Sequence, residues 1–313
     1  MKATWFILAI SLCTALKAQQ AYRYETSDIT RFWQAYDQLA TARSKTDSLQ
    51  IIQEQYLDQA SPDFKEFLKK RNFTAEEYVK KIGLYPGFWK SLRPMTMRID
   101  SMKVDVDEVF RKLAAALPNY RQPDICFAIG ALRTGGTTSS NLILIGADIA
   151  AADASIDKSE MTGWLARVIG NTGDLVAMVA HETIHTQQHS YRKTTLLTGS
   201  IKEGVADFLT DLTLELKINQ SIHNYANTRE CELWKEFEAD MKAKTTDLSR
   251  WLYGGSKETN RPADLGYYMG FKIAEAYYNK STDKQQAIAD LLNQKKYKQI
   301  FTRSDYASQA CQR

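Results

Sequence analysis

The feature that most restricts this chain is a run of five residues, His181-Glu182-Thr183-Ile184-His185, set directly after the apolar residues Leu175, Val176, Met178 and Val179. Residues four apart on an α-helix are separated by about 6 Å of rise and about 40° of rotation, so both imidazoles reach one ion if this stretch is helical. The apolar approach makes that helix a buried one. Glu182, one step round the helix, then reaches a water on the ion without binding the ion itself. Such a chain folds around an interior helix and draws a third ligand from another element.

The candidate third ligand is Glu203, in Lys202-Glu203-Gly204-Val205-Ala206-Asp207. A second helix returning antiparallel brings its carboxylate to the two rings. Gly204 removes a side chain beside it and permits close helix contact. Asp207, one turn further on, is placed to accept the other ring N–H of a ligating histidine. A third histidine ten positions after the first, with a glycine between, defines the metzincin pattern, but Tyr191 and Gln188 stand in those places. His189 lies about 12 Å along the helix axis from His181, too far to share one zinc, and is read as a cleft-rim or capping residue. His223 is read as isolated on a surface turn.

The chain begins with Lys2, an apolar run from Trp5 to Leu16, and the small Ala18, which is the pattern of a signal peptide over residues 1–18. Export to the periplasm or beyond is expected. Cys13 follows Leu12, where a lipid-attachment cysteine normally follows a small residue, so the free form is expected over a lipid-anchored one. A membrane-spanning helix needs about 20 apolar residues, and none is expected in the mature chain. Lys and Arg number 41 against 37 Asp and Glu, a balance of +4 that falls to about +2 without Lys2 and Lys17, which excludes a nucleic-acid-binding surface from the expected functions. Of the remaining cysteines, Cys126 sits in an apolar run and is expected to be buried. Cys231 with Cys311 is the one pairing worth naming, and whether it forms stays open.

An apolar fraction of 44% and a charged fraction of 25% are those of a soluble globular chain. From residue 27 to about 118 the spacing is helical, as with Phe32, Tyr36 and Leu39 and then Leu49, Ile52 and Tyr56, and Thr74 with Glu77 resembles a capping box. Four or five helices are expected there, forming a helical N-terminal region over 19–120 that serves as scaffold or cleft wall. Residues 125–132 and 141–146 are β-prone and are expected to pair as a hairpin with a flexible tip over 133–140. Helices are expected over about 172–189, 196–217 and 265–278, with a loop over 253–264 and a last helix over 286–292. The fold class is therefore α+β and predominantly helical, with a second region over 121–313 that holds the candidate ligands.

The His-Glu-x-x-His run followed by Glu-x-x-x-Asp on the next helix resembles the gluzincin metallopeptidases. Residues 180–209, with the later Leu265-Gly266-Tyr267-Tyr268-Met269-Gly270, are similar to a bacterial family of predicted zinc-dependent proteases and to the gliding-motility lipoprotein B group. The likeness covers roughly residues 126–306. Membrane attachment by lipid is usual in the motility group, and Leu12-Cys13 departs from it. The resemblance implies a zincin-like catalytic lobe over 121–313, with one Zn2+ held by His181, His185 and Glu203, Glu182 as general base, and Asp207 behind a ligand. It favours Tyr267 over Tyr268 as the residue that stabilises the oxyanion. It also implies an edge strand over the active helix, for which Leu142 to Gly146 is the candidate, with Leu142, Leu144 and Gly146 binding an extended peptide. The function expected is an exported zinc metallopeptidase acting on a peptide or protein substrate through a zinc-activated water. The alternative is a zinc-containing, non-catalytic binding or assembly factor of the cell envelope, related to gliding motility.

Overall fold

Apolar residues recur every three or four positions through the first third of the chain, and capping residues interrupt them, so the chain breaks into short amphipathic helices. In the computed structural model, which describes residues 21–170, 175–189, 194–253 and 261–312, these are α1 (Ser27–Gln38), α2 (Lys45–Ile52), α3 (Pro62–Arg71), α4 (Ala75–Leu84), α5 (Pro86–Met97) and α6 (Lys103–Ala116). Six helices form rather than four or five, because Pro86 starts α5 with only Tyr85 between it and the end of α4 and splits a continuous apolar pattern in two. Thr74 caps α4 by accepting from the Glu77 N–H at 3.3 Å, while the Glu77 carboxylate lies 3.4 Å from Arg133. The segment read as a signal peptide, residues 1–18, lies outside the described residues.

The expected hairpin is not the pairing found. Strands β1 (Tyr24–Glu25), β2 (Asp124–Ala128), β3 (Gly136–Ser139) and β4 (Leu142–Gly146) form one mixed sheet in the order β1-β2-β4-β3. β2 runs parallel to both β1 and β4, with Asp124 opposite Leu142 and Ala128 opposite Gly146. The presumed tip supplies β3, which pairs antiparallel with β4 from Gly136 opposite Ile145 to Ser139 opposite Leu142. Strands covered on both faces read as unbroken apolar runs, and such runs favour parallel neighbours as readily as a hairpin. A second correction follows. β4 is paired with β2 on one side and β3 on the other, so Leu142, Leu144 and Gly146 cannot receive a peptide as an added strand, and β3 is the edge strand beyond it.

The crossover from β2 to β3 contains Ala131 at φ 51° and Leu132 at φ 57°, left-handed positions unfavourable for side chains with a Cβ. They are held from below by Asp148, in the short helix α7 (Ala147–Ala150), whose carboxylate accepts from Gly130 N at 2.7 Å and Leu132 N at 2.5 Å. Burial pushes the Asp148 carboxyl up to about 6 even though those N–H groups pull it down. A carboxyl whose folded pKa is raised favours the folded state below the unfolded pKa, and that contribution is lost as pH rises through the folded value. The raised carboxyl predicts that wild-type stability relative to Asp148→Asn falls by about 2 kcal/mol between pH 4 and pH 7 in urea unfolding. A constant difference across that range would show that Asp148 titrates normally.

The rest of the described chain is helical: α8 (Gly163–Val168), α9 (Leu175–Gln187), α10 (Leu196–Leu214), α11 (Gln220–Asn227), α12 (Glu230–Lys242), α13 (Leu265–Lys280), α14 (Lys284–Leu291), α15 (Tyr297–Ser304) and α16 (Tyr306–Gln309). The expected last helix is α14, and two short ones follow it, marked in sequence only by the buried Tyr297, Ile300 and Tyr306. Residues 172–174 of the expected central helix and 254–260 of the expected loop lie outside the described residues. α9 is buried on nearly every side, between β3 and β4, α6 and α10. α10 starts at a reciprocal cap between Thr195 and Thr198 and stops at Glu215, which is left-handed.

Glycines set the crossing of α10 with α13. A Cβ on Gly270 would lie 1.7 Å from Ser200 O, and one on Gly204 would lie 2.0 Å from Phe271 N, so the backbones touch where ordinary side chains would hold them apart. Cys231 and Cys311 form a disulfide joining α12 to the chain end, and Cys126 is free and buried in β2. The boundary expected near residue 120 falls in the irregular run 117–123 between α6 and β2, and apolar residues from both sides of it join one buried cluster. No helix among the described residues is long and apolar enough to cross a membrane.

Candidate metal centre

Helical spacing on α9 and the return of α10 bring the ligand candidates together. Glu203 Oε2 lies 3.0 Å from His185 Nε2 and 3.5 Å from His181 Nε2. His181 meets Asp207 while His185 meets Glu203, a pairing of early with late residues that makes the two helices antiparallel. The imidazole rings are 4.6 Å apart between centroids and perpendicular. All three side chains are almost wholly buried.

The outer nitrogens fix both tautomers. His181 Nδ1 lies 2.7 Å from Asp207 Oδ1, and a carboxylate accepts, so this nitrogen donates outward and Nε2, which faces Glu203, is the atom a cation would take once its proton is displaced. His185 Nδ1 lies 2.8 Å from Gln188 Oε1, whose amide is oriented by its own donation to Lys202 O at 2.8 Å. Behind Asp207, Asn219 Nδ2 donates to Oδ2 at 2.9 Å. Lys202 Nζ pairs with the other Glu203 oxygen at 3.1 Å.

This donor set fits a metal ion. The candidate ligand atoms of His181, His185 and Glu203 all lie within 4.8 Å of one another. Nitrogen and oxygen ligands about 2.1 Å from a tetrahedral zinc are about 3.4 Å apart, close to the 3.0 and 3.5 Å between Glu203 and the two imidazoles, and three such residues would leave an ion one position for water. In the protein alone, burial lowers the His181 pKa, but hydrogen bonds to Asp207 and Glu203 outweigh it and leave the group at about 10. Burial raises Glu203, and the charges of His185 and Lys202 with the bond to His181 bring it well below the usual carboxylate range. A cation bound here displaces a proton, so its affinity falls as pH falls. Asp207→Asn is expected to weaken zinc binding about 10 to 100-fold in a competition titration against a chromophoric chelator, since the amide holds the imidazole less firmly. Unchanged affinity would remove Asp207 from its supporting place.

The triad lines a cavity of about 360 Å³ together with Glu182, Tyr267 and the β3 glycine Gly136. Glu182 lies against Gly136 so closely that a Cβ there would sit 2.5 Å from its Oε1. Tyr267, on α13, faces His181 with its ring nearly parallel at 6.3 Å, and burial with nearby Glu203 holds its hydroxyl well above the usual pKa, so it remains a donor. Tyr268 points elsewhere: its hydroxyl bonds to Asn227 and Glu230. His189 is exposed and lines a different, smaller cavity beside Asn119 and Leu292, away from the triad. His223 is not on a turn but within α11, packed edge-on against Phe271 and Tyr268.

Sequence reasoning missed several residues in and around the site. Gln188 sits three positions after His185, a spacing that marks it as a partner. Gly136 lies in a Gly-Gly pair that reads as a flexible tip. Arg71, from α3, reaches the cavity from more than a hundred residues upstream of α9 and leaves no local signal.

The fold and the triad together define a helix-rich α+β protein with a cavity lined by a His-His-Glu cluster that could hold a metal ion. Residues 17–308 match the family described as gliding motility protein GldB, and the chain belongs to that family. No curated protein and no solved structure matches it.

Proposed function

We propose that this chain is an exported cell-envelope protein of the gliding-motility type, built around one zinc site, and that the site acts on a peptide segment of another envelope protein. The carrying observation is the convergence of His181, His185 and Glu203 within 4.8 Å in the lining of one cavity. Zinc bound there supplies a Lewis acid for a peptide carbonyl and activates water. β3, with one edge unpaired among the described residues, takes an extended peptide as a further strand, and Gly136 lets β3 itself lie against Glu182. The Glu182 carboxylate takes a proton from the attacking water and passes it to the leaving nitrogen. The Tyr267 hydroxyl, kept protonated, donates to the developing oxyanion. The family name marks lipoproteins. Cys13 is the residue for such an anchor, and the bulk of Leu12 before it favours the free exported form.

The second reading keeps the zinc and the peptide groove without turnover, as an assembly factor. The family description favours it, since it speaks of motility and not of hydrolysis. Incubating the zinc-loaded mature protein with a diverse peptide library separates the two. Fragments that appear with the zinc-loaded form and not after chelation support the peptidase; retained peptides with no new termini support the assembly factor. Failure to take up zinc would contradict both.

A further inference from the structure

We infer that Arg71 makes the cleft a receptor for a peptide carboxylate. The inference rests on the reading of the cleft as a peptide groove and names the ligand chemistry that groove selects. Arg71 is the last residue of α3, and its guanidinium lines the same cavity as Glu182, Glu203 and Tyr267. Its Nε is buried and, among the described residues, has no hydrogen-bond partner. The bonds made by Nη2 are at the limit of useful length, 3.4 Å to Thr134 Oγ1 and 3.5 Å to Gly136 O. Burial lowers the Arg71 pKa, and the field of Glu182 opposes this without a contact short enough to count as an ion pair.

A guanidinium in this state is under-satisfied. It has five N–H donors in a planar fork, two weakly engaged and one buried without an acceptor, and a desolvated cation gains most from a bidentate carboxylate. The other cations of the cavity are already committed. Lys202 pairs with Glu203, and Arg133 donates to Arg71 O at 2.8 Å while lying over the Phe73 ring. Arg71 also adjoins β3, so a carboxylate held by it comes from a peptide already lying along that edge, either at its C-terminus or on an acidic side chain.

The test uses three short peptides, acetyl-Ala-Ala-Ala with a free carboxylate, the same peptide as its amide, and acetyl-Ala-Asp-Ala amide. Each is titrated calorimetrically into the full mature chain carrying Glu182→Gln, so that no turnover intervenes. A free or side-chain carboxylate is expected to bind about 10 to 100-fold more tightly than the neutral amide. Arg71→Ala should abolish the difference and Arg71→Lys should restore part of it. Preference for the free acid assigns the C-terminus, and preference for the aspartyl peptide assigns the side chain. Repeating the titrations after chelation separates this inference from the zinc reading, because an Arg71-dependent preference persists without metal, whereas a carboxylate bound by zinc loses it. Equal binding of all three peptides, or a preference that survives Arg71→Ala in a variant with wild-type thermal unfolding, overturns the inference.

Discussion

On the peptidase reading, Glu182→Gln is expected to keep one zinc per chain and to lower peptide hydrolysis by about 10² to 10⁴-fold, the usual contribution of a positioned general base. The amide fills the same space against Gly136, so the edge strand and the triad are undisturbed and the loss is confined to proton transfer. Binding of peptide, measured separately, should change little. Loss of zinc in this variant would place Glu182 among the ligands and contradict the arrangement described above. Unaltered turnover would remove it from the proton path.

The second large effect concerns the scaffold. Gly270→Ala is expected to destabilise the protein by about 3 kcal/mol or more, at the upper end of overpacking substitutions, because the added carbon would lie 1.7 Å from Ser200 O and backbone cannot give way as a side chain can. Relief requires α13 to move off α10, which displaces Tyr267 and loosens the helix that carries Glu203, so zinc affinity should fall with stability. Gly83→Ala is the control. Its Cβ would meet nothing within 4 Å, and in a helix the exchange is expected to stabilise by about 0.5–1 kcal/mol. Similar urea midpoints for the two variants would show that the glycine crossing is not tight.

The ligand cluster is legible in sequence because helical geometry fixes most of it. The i, i+4 spacing sets His181 and His185 on one face, and Glu203 and Asp207 repeat that spacing on the next helix, so an antiparallel return aligns the pairs. Tyr267 and Tyr268 are adjacent and chemically alike, and only the crossing set by Gly204 and Gly270 turns one toward His181 and the other toward Asn227. The strand order was illegible for a different reason. Two apolar runs pair equally well as a hairpin or in parallel, and the choice rests on the buried Asp148 holding the left-handed crossover, a contact made by residues at least sixteen positions apart. Arg71 and Asn219 act across the fold, and neither belongs to a local pattern. The signal for Gln188 was present in the i, i+3 spacing.

Zinc analysis combined with X-ray absorption on the purified mature chain tests the central claim most directly. The account predicts one zinc per chain, surrounded by two imidazole nitrogens and one carboxylate oxygen at about 2.0–2.2 Å, and lost in His185→Ala and in Glu203→Ala. A chain that retains no zinc after dialysis, or one whose zinc persists unchanged when both His181 and His185 are replaced, would contradict it.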